Sequence, residues 1–69
     1  MKKILLTFDD EVASIPKKFI FHNVEDMIDW FRSKADIFTD FTVKDDNVFF
    51  TVNHAWQSFA TFEYVDSFL

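Results

Sequence analysis

Val48, Phe50 and Val52 take alternate positions in the run "NVFFTVN", residues 47–53, with Phe49 and Thr51 between them. A period of two is that of a β-strand, whose successive side chains leave on opposite faces. Three other stretches share it. "KKILLTF", residues 2–8, sets Ile4, Leu6 and Phe8 against Lys3, Leu5 and Thr7. "KKFIFH", residues 17–22, sets Phe19 and Phe21 against Ile20 and His22, just after Pro16 has fixed the backbone. "DIFTDFTVK", residues 36–44, sets Ile37, Thr39, Phe41 and Val43 against Phe38, Asp40 and Thr42. These four runs are predicted strands.

Between the second and third strands the period changes. In "NVEDMIDWFRSKA", residues 23–35, a turn of 100° per residue gathers Val24, Met27, Ile28, Phe31 and Ala35 into one arc. Glu25, Asp26 and Asp29 fall opposite, and Trp30 sits at the margin of the arc. Asn23 is the predicted N-cap, with Asp26 where a capping box would carry Glu or Gln.

The last stretch, "HAWQSFATFEYVDSFL", residues 54–69, fits two periods. As a strand, Ala60, Phe62 and Tyr64 alternate with Thr61 and Glu63. As a helix capped by Asn53, Ala55, Trp56, Phe59, Ala60 and Phe62 share an arc, but Glu63 and Asp66 intrude. The β-branched and aromatic run "TFEYV" favours a strand. The expected fold is therefore α+β: an antiparallel sheet of four to five strands with one helix on one face, in the order β-β-α-β-β-β. The alternative makes residues 54–66 a second helix, β-β-α-β-β-α. Either way residues 1–69 form a single small domain.

One helix covers one face. The inward set expected from the alternation is Ile4, Leu6, Phe19, Phe21, Phe41, Val43, Phe50 and Val52. Leu5, Ile20, Phe38 and Phe49 then fall on the far face, where antiparallel sheets are normally polar. A contiguous apolar patch there suggests a partner, unless a second helix at 54–66 covers it. The two tryptophans, Trp30 at the helix margin and Trp56 in a loop beside His54, are the next contact candidates, tryptophan being enriched at binding hot spots.

Composition sharpens this picture. A chain of 69 residues buries only about 60% of its unfolded surface, so it needs a rich core or a partner. It has no cysteine, which removes disulfides and thiolate metal sites, and an aromatic share of 20%. Large rings compensate for a short chain, each burying about 150–250 Å². It also has no glycine, so turns needing positive φ must use residues such as Asn and Asp. Asp45-Asp46-Asn47 reads as the hairpin connection between the third and fourth strands.

Twelve acids against seven bases give a net charge of −5. That opposes general binding to nucleic-acid phosphates and to anionic membranes, and permits a basic partner. "MKKILLTF" begins like a secretory signal but meets Asp9, Asp10 and Glu11 too soon. With no stretch near the length of a membrane span, a cytoplasmic protein is expected.

No catalytic or cofactor motif emerges. His22 and His54, the only histidines, lack ligand spacing for a metal. Ser58 follows His54 by four residues, with Asp66 beyond, but no glycine elbow exists to expose a nucleophile. Glu25 and Asp26 suit a helix N-terminus, Asp45 and Asp46 a turn, and Asp9, Asp10 and Glu11 a solvated loop. Acids so spread could mimic a phosphate track, as small phage-encoded inhibitors of host enzymes do, although Lys17, Lys18, Arg32, Lys34 and Lys44 interrupt them. The sequence thus points to a small acidic non-catalytic interaction domain without cofactor or metal, a homodimer or a binder of a host protein. The alternative is a single-stranded nucleic-acid module, stacking bases on sheet aromatics with Lys2, Lys3, Lys17 and Lys18 near the phosphates.

Overall fold

The computed structural model describes residues 2–12 and 14–66. Five strands and one helix follow one another as β1 (Lys2–Phe8), β2 (Lys18–Phe21), α1 (Val24–Ser33), β3 (Phe38–Lys44), β4 (Asn47–Val52) and β5 (Trp56–Asp66). The strands form a single antiparallel sheet in the order β2-β1-β5-β4-β3. This is an α+β architecture with the helix on one face, called here the inner face.

The longest strand holds the sheet together. β5 pairs with β4 through Trp56–Thr61 and with β1 through Ala60–Asp66. Only Ala60 and Thr61 have partners on both sides, so β1 and β4 are offset along their shared neighbour. Residues 56–66, all but the first two of the 54–66 stretch for which a second helix is the alternative, are drawn into strand by this two-sided pairing.

Strands β2 and β3 lie at opposite edges. The chain between them must cross the width of the sheet, four strand spacings or about 19 Å. The ten residues of α1 span about 15 Å, and a turn over 34–37 supplies the rest. Crossing the sheet is what places α1 over the inner face. Its start is capped as the sequence predicts: Asn23 is extended, at φ −160° and ψ 175°, and its Oδ1 accepts from the Asp26 N–H at 2.8 Å.

The core lies between helix and sheet. Met27 and Phe31 of α1 meet Ile4, Leu6 and Phe8 of β1, Val48, Phe50 and Val52 of β4, Ala60 and Phe62 of β5, and Val12 of the first loop. Phe19, Phe21, Phe41 and Val43 are half-buried against this cluster from the two edge strands. Ala60 sits directly between Phe8 and Val48 in the register. Its small side chain leaves room in mid-sheet for rings such as Phe8 and Phe50, whose centroids are 5.7 Å apart edge to face.

Two turns solve the absence of glycine. Lys44 pairs with Asn47, leaving the two-residue connection Asp45-Asp46, and Asp45 takes φ 55°. Val52 pairs with Trp56 across Asn53-His54-Ala55, where Asn53 and His54 take φ 51° and 58° and the Ala55 N–H donates to the Val52 carbonyl. These residue types bear positive φ at the least cost after glycine.

One strand departs from the expected alternation. Phe38 was expected on the far face, yet it is 2% exposed and packs on Phe31 and Phe50. The cause is a bulge in β3. Phe38 pairs with Val52 while Asp40 pairs with Thr51, so Thr39 is an extra residue that reverses the phase of the strand. The Thr39 hydroxyl ties the bulge down: it donates to the Thr51 carbonyl at 3.3 Å and accepts from the His54 N–H at 3.0 Å.

Candidate interaction surface

With α1 on the inner face, the side chains of opposite phase form an outer face. By the register these are Lys3, Leu5 and Thr7 of β1, Lys18 and Ile20 of β2, the odd-numbered residues of β4 and β5, and Asp40, Thr42 and Lys44 of β3. Leu5 stands opposite Ile20, which is 42% exposed. Phe49 stands opposite Phe59, with ring centroids 6.1 Å apart, and is 44% exposed.

These two apolar pairs do not merge. Leu5 is level with Glu63 on β5, four residues and about 13 Å along the strand from Phe59. Between them run Thr7, Thr61 and Asn47, with the Thr61 hydroxyl donating to Asn47 Oδ1 at 3.1 Å. The single contiguous patch expected from Leu5, Ile20, Phe38 and Phe49 is thus corrected twice. Phe38 belongs to the core, and the rest divide into two islands across a polar band. Phe59 replaces Phe38 as the ring beside Phe49. It was legible in principle, since carrying the strand reading back from Thr61 by two residues puts Phe59 in phase with Glu63.

The tryptophans go elsewhere. Trp30 is half-buried among Phe8, Phe19, Phe21, Phe31 and Phe38 at centroid distances of 4.7 to 6.2 Å. Trp56 opens β5 rather than lying in the turn, and by the register it faces the helix side with Val52. It is 39% exposed and lines a depression with Val12, Ile37 and Asn53 at one end of the core.

Charge is unevenly shared. The strands place three of the seven bases (Lys3, Lys18 and Lys44) and two of the twelve acids (Asp40 and Glu63) on the outer face. Four bases and ten acids are left for the rest of the molecule. Asp9 sits at the rim, its N–H donating to the Phe59 carbonyl, so the outer face is close to neutral in an acidic protein.

Titratable groups elsewhere are spread over the loops, the helix and the strand ends. The Ser58 hydroxyl donates to Asp10 Oδ2 at 2.6 Å rather than to His54. His22 and His54 are both exposed in connecting segments. Among the described residues no three His, Cys, Asp or Glu side chains are placed to hold a metal ion, and no polar or charged side chain is buried. No helix among them is long and apolar enough to cross a membrane. Comparison with protein-family models, with curated proteins and with solved structures yields no match to this chain.

Proposed function

We propose that this chain is a non-catalytic, cytoplasmic interaction domain that docks a partner protein on the outer face of its sheet. The observation that carries the reading is the Phe49–Phe59 pair, two large rings side by side on a face the helix does not reach. Exposed aromatic pairs of this kind act as anchors at protein interfaces, with a polar surround completing the contact. The Leu5–Ile20 pair offers a second anchor about a dozen ångströms away. Near-neutrality of this face avoids the repulsion that the acidic remainder would impose on an acidic partner.

Capture from a lysate of the native host tests the proposal. Wild-type protein, Phe49→Ser and the inner-side control Asp29→Ser are immobilised in parallel. The outer-face reading expects Phe49→Ser to lose the bound protein and Asp29→Ser to keep it. Equal capture by both variants overturns it.

The same ring pair also favours the single-stranded nucleic-acid reading, because adjacent aromatics on an open sheet can stack bases while Lys18 and Lys44 meet phosphates. The net charge of −5 opposes it. Salt-sensitive anisotropy with a labelled oligonucleotide, lost in Phe49→Ser, supports this second reading. No binding at low salt removes it.

A further inference from the structure

β3 is the longer of the two free edges, seven residues against the four of β2. Two backbone bonds fix which of its peptide groups are free. The Phe62 N–H donates to the Asp46 carbonyl, and the Asn53 N–H donates to the Ile37 carbonyl. Even-numbered residues of β4 and its turn therefore bond toward β5, and odd-numbered ones toward β3. Asn47, Phe49 and Thr51 are opposite Lys44, Thr42 and Asp40, so those three β3 residues spend their backbone groups on the ladder. The N–H and C=O of Phe41 and Val43 point outward. Upstream, the bulge at Thr39 breaks the edge. Downstream, the turn begins at Asp45. The usable edge is the pentapeptide Asp40-Phe41-Thr42-Val43-Lys44.

That pentapeptide is complementary to itself. Laid antiparallel to a second copy about a two-fold axis at Thr42, Phe41 exchanges both backbone bonds with the partner's Val43, and Val43 with the partner's Phe41. This gives four main-chain hydrogen bonds. On the outer face Asp40 meets the partner's Lys44, twice by symmetry, and Thr42 meets the partner's Thr42. On the inner face half-buried Phe41 lies beside the partner's Val43. Opposite charges, paired threonines and aromatic–β-branched pairs are the cross-strand combinations that stabilise antiparallel sheets. The neighbouring registers that keep the same backbone bonding are poorer. A centre at Phe41 runs Val43 against the bulge, and one at Val43 runs Phe41 against the turn residue Asp45.

We infer that a second copy of this chain pairs on the β3 edge, in the register centred on Thr42, to make one ten-stranded sheet. The contact is isologous and uses up both β3 edges, so assembly closes at the dimer. It leaves the two outer faces side by side and stands apart from the outer-face proposal above.

Charge reversal and a cross-link test it. Sedimentation equilibrium of the wild type is expected to show a dimer. Lys44→Glu puts Glu opposite Asp40 at both rim pairs and weakens dimerisation at least about tenfold. The charge swap Asp40→Lys with Lys44→Asp restores it, with circular dichroism unchanged throughout. The paired Thr42 Cα atoms would be about 4.5 Å apart, within disulfide reach, and the chain has no cysteine to interfere. Thr42→Cys therefore oxidises to a covalent dimer, and Asp40→Cys, far from its own copy in this register, does not. A wild type that stays monomeric into the millimolar range overturns the inference. So does a dimer indifferent to Lys44→Glu, or equal cross-linking by the two cysteine variants.

Discussion

Asn23 secures the start of the helix by one side-chain bond, and Asn23→Ala is expected to cost about 1 kcal/mol in a urea melt, with Asn23→Asp nearly neutral. At the other extreme of burial, Phe31 touches Phe8, Phe38, Phe41 and Phe50 with no exposure. Phe31→Ala should cost about 3–5 kcal/mol, a large share of the 5–15 kcal/mol typical of a folded domain. His54 carries its strain in the backbone. It holds φ 58° as a non-glycine residue, and its N–H still reaches Thr39 whatever the side chain. His54→Gly relieves a left-handed cost of about 1–2 kcal/mol while loosening the unfolded chain, for a net gain of up to about 1 kcal/mol in melting free energy. At this scale the sequence was readable, because capping and turn propensities act within a few residues. Asn23 and Asp45 do in the structure what their chemistry favours locally.

Elements depend on what packs against them, and here reading from one dimension reaches less far. Alternation and helical period locate β1, β2, α1, β3 and β4 to within a residue or two, since each buries one face against the same core. Nothing inside "IFTDFTV" announces a bulge. The phase reverses at Thr39 because Phe38 reaches the core only on the helix side, and that demand comes from Phe31 and Phe50 elsewhere in the chain. Deleting Thr39 removes the extra residue, restores strict alternation with Phe38 still inward opposite Val52, and should cost only about 1–2 kcal/mol in the same melt, for the two hydrogen bonds of the Thr39 hydroxyl. A loss of about 3–5 kcal/mol, the size expected for a core Phe turned out to solvent, would mean that Thr39 is not the residue the ladder has to spare. The C-terminal run was ambiguous for a related reason. Ala55, Trp56, Phe59 and Ala60 are spaced for a helix, and only pairing with β1 and β4, distant in sequence, decides for a strand.

Over the whole molecule, a single helix leaves one sheet face open, and the chain handles that face in a mixed way. Polar side chains band its middle, while Phe49–Phe59 and Leu5–Ile20 remain as separate apolar pairs. The candidate surface was therefore foreseeable in location and wrong in detail. Which strand residues point outward follows from periodicity, but whether they adjoin depends on strand order and offset, which no local signal encodes. Phe49 is nearly half exposed and opposite a single ring, so Phe49→Ser should shift stability by no more than about 1 kcal/mol. That tolerance makes position 49 a clean place to interrogate. The most direct test installs a photo-crosslinking benzoyl-phenylalanine at Phe49, or at Asp29 on the helix, and irradiates cells of the native host. A discrete covalent adduct with another protein from position 49 and none from position 29 is the predicted result. No adduct at 49, or the same adducts at both positions, would contradict the claim that the open face of the sheet is where this protein meets its partner.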